Sequence, residues 1–317
     1  MPNPSFLRAL LLVLACLAGP AAHACTATET GGPLGSYTSQ NVYSTAAIKT
    51  SASFSFACSG NLLAIASGTP SIRGEFTTAL TGLTLKAAGG YTIPYQIYRD
   101  AGYTTAFTGL VQVNLQGAQV LNLLGNGNAQ TVPFYIAVTP GANIPAGTYT
   151  DTIQFTWTPT AICEGLLGAF GICLGNPNTT PVLRSIVVTL VVTNDCTVTA
   201  PTVNFGTAPL VASFATVSQN IQLLCSRDMT YTVGLSDGLY PSGGRRRMAS
   251  GTNRLQYDIF KADTTVWGKV GTARASSPAP ANGTTVQTIP YTARIYTDQS
   301  NPPPGVYTDN VVVDISF

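Results

Sequence analysis

Seven cysteines carry most of the reactive chemistry that this 317-residue chain offers. Cys16 lies in the apolar N-terminal stretch, and the rest are Cys25, Cys58, Cys163, Cys173, Cys196 and Cys225. Thiolates serve as metal ligands or pair as disulfides. No C-x-x-C spacing occurs, and the single histidine, His23, sits near the N-terminus. A thiolate–imidazole site would therefore lack ligands, and no metal or cofactor is expected. Catalytic constellations are also missing. The carboxylates are few and scattered, and no nucleophile elbow, P-loop or dinucleotide fingerprint is present. An enzyme is not expected.

The N-terminus gives the cysteines their context. Arg8 precedes an apolar run from Ala9 to Leu17, and Ala22-His23-Ala24 forms a small-x-small cleavage site. Residues 1–24 read as a secretory signal cleaved after Ala24; lipidation at Cys16 or Cys25 fits its acylation pattern less well. An exported chain meets an oxidising compartment, where an even set of six cysteines is expected to form disulfides.

The elements that position these cysteines repeat along the chain. Cys25-Thr-Ala-Thr and Cys196-Thr-Val-Thr each lead through an alternating stretch to a second cysteine, Cys58 or Cys225. Thr131-Val-Pro-Phe-Tyr-Ile is answered by Thr288-Ile-Pro-Tyr-Thr-Ala, and Gly147-Thr-Tyr-Thr-Asp151 by Gly305-Val-Tyr-Thr-Asp309. The repeat selects the pairs Cys25–Cys58, Cys163–Cys173 and Cys196–Cys225. Alternating apolar and polar residues, β-branched or aromatic and bounded by Pro and Gly, predict half-buried antiparallel strands. Only 9% of residues are charged, against 31 Gly and 21 Pro, which disfavours surface helices. The expected fold is all-β: two antiparallel sandwiches in tandem, over 25–194 and 195–317.

The repeats differ where they finish. The first continues into Arg184-Ser-Ile-Val-Val-Thr-Leu-Val-Val-Thr193, with Ile186, Val188, Leu190 and Val192 on one face, a closing strand. The second reaches Phe317 directly after Val311-Val-Val-Asp-Ile-Ser, so its last strand is expected to be missing. Val311, Val313, Ile315 and Phe317 would then edge an open groove with unpaired backbone groups, a site for a strand from another chain.

Arg246-Arg-Met248, Leu255-Gln-Tyr257-Asp-Ile-Phe, Val266-Trp-Gly268, Arg294-Ile and Pro304-Gly-Val-Tyr307-Thr-Asp309 resemble the spore coat protein U domain family. The match is strong over 196–317 and more diverged over 25–195, where Phe107-Thr-Gly109 replaces Trp-Gly. That family includes subunits of archaic, Csu-type chaperone–usher pili, whose tip adhesins have two domains. The resemblance implies Ig-like, pilin-type sandwiches. It also implies three partners: a periplasmic chaperone that lends a strand, an outer-membrane usher, and an adjacent pilin that replaces the lent strand. Cleavage after Ala24 would leave no donor segment ahead of Cys25, placing the chain at the tip of a cell-surface pilus.

Binding would then fall at the far end of the first domain. Chain direction puts three apolar segments there. One is Cys163-Glu-Gly-Leu166-Leu167-Gly-Ala-Phe170-Gly-Ile172-Cys173. The second holds Leu121, Leu123 and Leu124 in the loop before the 130–138 strand, and the third holds Leu62, Leu63 and Ile65, which fit a buried strand better. The first two are the expected contacts to an abiotic or host surface, in attachment and biofilm formation. The alternatives are a sugar-binding tip and a secreted coat or matrix protein. Arg245-Arg-Arg247 reads as a solvated loop, and near-neutral charge in the first domain argues against nucleic acid.

Overall fold

The computed structural model describes residues 25–45, 48–58, 69–125, 128–167, 173–178 and 180–317. The expected signal segment and Leu62, Leu63 and Ile65 lie outside them. In the first half the strands are β1 (Cys25–Gly31), β2 (Pro33–Thr38), β3 (Lys49–Cys58), β4 (Ser71–Phe76), β5 (Thr84–Lys86) and β6 (Thr92–Tyr98). They continue as β7 (Val111–Gln116), β8 (Ala129–Val138), β9 (Gly147–Thr160), β10 (Ile162–Leu167), β11 (Cys173–Asn178) and β12 (Val182–Thr193). Two short helices, α1 (Ser39–Ser44) and α2 (Ala118–Gly125), join them. No helix among the described residues is long and apolar enough to cross a membrane.

Hydrogen bonding runs in the order β1-β3-β8-β6-β5-β9-β12-β2, with β4 joined to β7 and β9, so the sheet wraps around a single core. The period-two pattern buries one face of each strand. Phe54, Phe134 and Phe155 stack in that core, with Phe76 edge-on to all three. Such ring pairs add roughly 0.5–1.5 kcal/mol each beyond area burial.

In the second half the strands are β13 (Cys196–Thr199), β14 (Val217–Cys225), β15 (Thr232–Leu235), β16 (Arg246–Ser250), β17 (Asn253–Lys261), β18 (Ala275–Ser276), β19 (Gln287–Ile295) and β20 (Val313–Ser316). They form one sheet, β13-β14-β19-β17-β16, and a smaller one, β18-β15-β20, over a separate core that includes Ile221, Leu223, Tyr257, Trp267 and Tyr291. The fold is all-β, two sandwiches in tandem.

Cys196 and Cys225 are bridged across directly opposed positions of β13 and β14. Cys25 is disulfide-bonded, and its backbone lies opposite Cys58 in the β1–β3 register. Cys163 stands opposite Pro177 and Cys173 opposite Leu167 in the β10–β11 ribbon, a register that sets their backbones four ladder positions apart, beyond the reach of the expected Cys163–Cys173 bridge. The side chains of 163–179 lie outside the described residues.

Candidate functional site

The two cores hold the same strand in different company. β9 is flanked by β12 on one edge and by β4 and β5 on the other, and β12 in turn pairs in parallel with β2. The β12 residues Ile186, Val188, Leu190 and Val192 are all buried. Beside them Tyr149, Ile153, Phe155 and Trp157 of β9 are 0% exposed.

Its counterpart, 305–317, is matched atom for atom at one end. Tyr149 Oη donates to Pro145 O at 2.9 Å, and Tyr307 Oη to Pro303 O at 2.7 Å. Tyr95 Oη donates to Asp151 Oδ2 at 2.9 Å, and Tyr257 Oη to Asp309 Oδ2 at 2.8 Å. In both pairs burial, then the carboxylate, pushes the phenol up from its ordinary value. Burial also pushes Tyr149 up to about 12.

The correspondence stops at the edge. β20 pairs with β15 alone, over Val313↔Leu235 to Ser316↔Thr232, and among the described residues no strand lies on its other side. Between 304 and 312 only an isolated bridge, Ala249↔Thr308, stands where β9 has continuous strand. Residues 200–210, which follow β13 as β2 follows β1, form no strand either. Val311, Val313 and Ile315 are only partly buried against the core, while Phe317 is 65% exposed. The side-chain alternation continues through β20, whose second edge has no partner strand among the described residues.

At the opposite pole, β9 stays paired with β4 to Thr160 and leads through Ala161 into β10, and the β10–β11 ribbon forms a separate two-stranded sheet. Registers place the end of β3, the start of β8, the end of β7 with α2, and this ribbon at one end. Leu166 and Leu167 belong to β10, with side chains outside the described residues; Phe170 and Ile172 lie outside them altogether. The segment 118–125 is a helix rather than the expected loop. Val120 is 0% exposed and Leu123 packs partly buried against the core, an i, i+3 pair that anchors one helix face. Leu123 thus contributes packing, while the side chains of Leu121 and Leu124 lie outside the described residues.

The two units meet at the other end of the first core. Only residues 194 and 195 separate β12 from β13. Ser39 Oγ donates to Ser226 Oγ at 2.5 Å, Tyr91 Oη to Asp228 Oδ2 at 2.6 Å, and Asn143 Nδ2 to Asn282 O at 2.8 Å. Arg227 stacks on the Tyr91 ring at 5.2 Å.

The Arg245-Arg-Arg247 run is not the solvated loop its composition suggests. Arg245 pairs with Asp298 at 2.7 Å, and Arg246, 3% exposed, pairs with Asp258, 1% exposed, at 2.9 Å. Burial pushes the Asp258 carboxyl above its usual range, against the pull of the Tyr296 hydroxyl and the guanidinium. A signal was present: Arg246 alternates with Met248, and Asp258 sits inside an otherwise apolar-rich strand.

A family model for the Spore Coat Protein U domain matches the chain twice, over residues 13–156 and 182–314. The fold is similar to a chain from the CsuC–CsuE chaperone-tip adhesion subunit pre-assembly complex of the archaic chaperone–usher Csu pili of Acinetobacter baumannii. That likeness is at 23% identity, covering 93% of this chain and 100% of that one, with a TM-score of 0.56. The CupB6 tip adhesin of Pseudomonas aeruginosa matches at 13% identity over 93% of this chain and 94% of that one, with a TM-score of 0.39. No curated protein matches. The chain belongs to the spore coat protein U domain family, of which it carries two copies.

Proposed function

We propose that this protein is the tip adhesin of a chaperone–usher pilus, anchored through its second unit and binding surfaces with the far end of its first. One observation carries the reading. The second family match begins at 182, so its leading segment is β12, yet β12 folds into the preceding core between β9 and β2. The leading strand of one family unit thus completes the unit before it. By the same rule, the slot beside β20 takes the leading strand of another subunit. Before assembly a periplasmic chaperone fills it, and exchange takes place at the outer-membrane usher. The likeness to a chaperone-bound tip subunit supports this reading. The protein passes through the periplasm to the cell surface and performs no catalysis.

The contact surface is the pole where the β10–β11 ribbon, carrying Leu166 and Leu167, and α2, carrying Leu121 and Leu124, come together; Phe170 and Ile172, between the two ribbon strands in sequence, belong to the same proposal. Each such side chain that leaves water contributes about 1.5–3 kcal/mol, enough for attachment when many fibres act together.

The strand-accepting half is tested by appending a copy of residues 182–193 to Phe317 through a flexible linker. The second unit should become protease-resistant, with a thermal midpoint raised by roughly 15 °C, as burial of several apolar side chains requires. An unchanged midpoint would sink the open-slot reading. The adhesive half is tested by changing Leu166, Leu167 and Phe170 to Ser together. Cells should still assemble pili but lose attachment to hydrophobic plastic and the biofilm that follows; full attachment would refute the apolar contact.

A further inference from the structure

An open slot is useful only if its walls hold their shape before a strand arrives. β20 has one pairing partner, β15, and β15 is otherwise flanked only by the two-residue β18. The β15 carbonyls are held from inside the sandwich. Arg246 donates from Nε to Ser236 O at 2.8 Å and from Nη2 to Leu235 O at 3.2 Å and Trp267 O at 2.7 Å. Its Nη1 meets Asp258 Oδ1 at 2.9 Å. Trp267 Nε1 donates to Val233 O at 2.8 Å. Ser236 in turn grips the segment leading into β20: its N–H donates to Val312 O at 2.9 Å, and its Oγ accepts from Val312 N at 2.8 Å.

The first unit, whose slot is filled by β12, does without this device. Tyr95 N donates to Leu83 O, so Leu83 stands where Arg246 faces Tyr257 across β16 and β17. Gln96 follows Tyr95 as Asp258 follows Tyr257. Phe107 N donates to Ile97 O as Trp267 N does to Ile259 O. Leu, Gln and Phe have given way to Arg, Asp and Trp in the unit with the unpaired edge. A buried ion pair adds little stability over an apolar set of similar size, but its directional bonds enforce one arrangement.

We propose that Arg246, fixed by Asp258, is a positioning residue that holds β15 and β20 in the geometry an incoming strand requires. This rests on the strand-accepting reading above. Arg246 makes four directional contacts, of which the two to Leu235 O and Ser236 O cross to the β15 side, and places none of its atoms on the free edge. Its effect is therefore on the shape of the empty slot, and it becomes dispensable once a strand fills the slot.

The test is amide hydrogen exchange on the full chain, with and without the appended copy of residues 182–193. In the chain without it, Arg246→Leu should lower protection of β15 and β20 about tenfold while β14 and β19 stay unchanged. With the appended strand, the same substitution should cost less than about threefold at the same amides. Asp258→Asn, which keeps the guanidinium and removes its charged partner, should give a smaller loss confined to the same strands. Equal losses in both sheets, no loss, or a loss undiminished by the appended strand would each overturn the proposal. If Arg246→Leu does not fold, Asp258→Asn decides: a confined loss supports the brace and a uniform loss refutes it. If the appended strand protects nothing in the unsubstituted chain, the strand-accepting reading fails instead.

Discussion

β9 and the segment 305–317 share a Gly-x-Tyr-Thr-Asp opening, make the same tyrosine contacts, and end in different states. In the first unit the strand is continuous from 147 to 160 and its inward side chains are sealed. In the second it shrinks to Val313–Ser316 and leaves its apolar face half-covered. Since Gly-x-Tyr-Thr-Asp is common to both, local propensity does not account for the difference. What differs is the neighbour: with β12 alongside, every second side chain finds a dry wall and every backbone group on that edge finds a partner. The lesson is that strand length here is a property of the pair.

The comparison can be broken first at the cysteines. Removing the Cys196–Cys225 bridge, which spans 29 positions of sequence, from the unit with the open edge should cost about 3–4 kcal/mol by the loop-entropy model. The cost should fall on the second unit alone, giving two separate calorimetric transitions in Cys196→Ser/Cys225→Ser; a single coincident transition would mean that the units do not differ as described. A finer probe is paired truncation. Ile153→Ala, in the sealed strand, should lose about 3 kcal/mol, and Val311→Ala, its counterpart, about 1 kcal/mol. The gap between them should narrow in the chain with the appended strand, as read by denaturant midpoints.

The smallest effect concerns alkaline pH. The Tyr149 phenol, pushed up to about 12, is neutral in the fold at a pH where an unfolded tyrosine has begun to ionise. Its contribution is therefore complete below about pH 10 and is lost as the pH rises towards 12. Tyr149→Phe should make that part of the stability profile shallower for the first unit, leaving the share from Tyr95 there and the decline from Tyr257 in the second.

Much of this organisation was legible in the sequence because period-two alternation and a repeated cysteine frame are strong signals. Ile186, Val188, Leu190 and Val192 declare a strand buried on one face whatever surrounds it. The ribbon and α2 were harder. Val120 and Leu123 satisfy a helix as readily as an apolar loop, and only the packing of Val120 into the core decides. Arg246 was misread because three adjacent arginines look solvated. Its acid partner is twelve residues away on the next strand, and the carbonyls it holds are set by tertiary structure.

The two-residue connection between β12 and β13 has a mechanical consequence. With so little slack, a pull separating the two units reaches β12 almost at once, and it acts along the strand. The eleven residue pairs between β12 and β9, Val182↔Trp157 to Val192↔Gly147, would be loaded together in shear instead of peeling one after another. The joint between the units is then as strong as a whole strand interface, even though the covalent path across it is only two residues long.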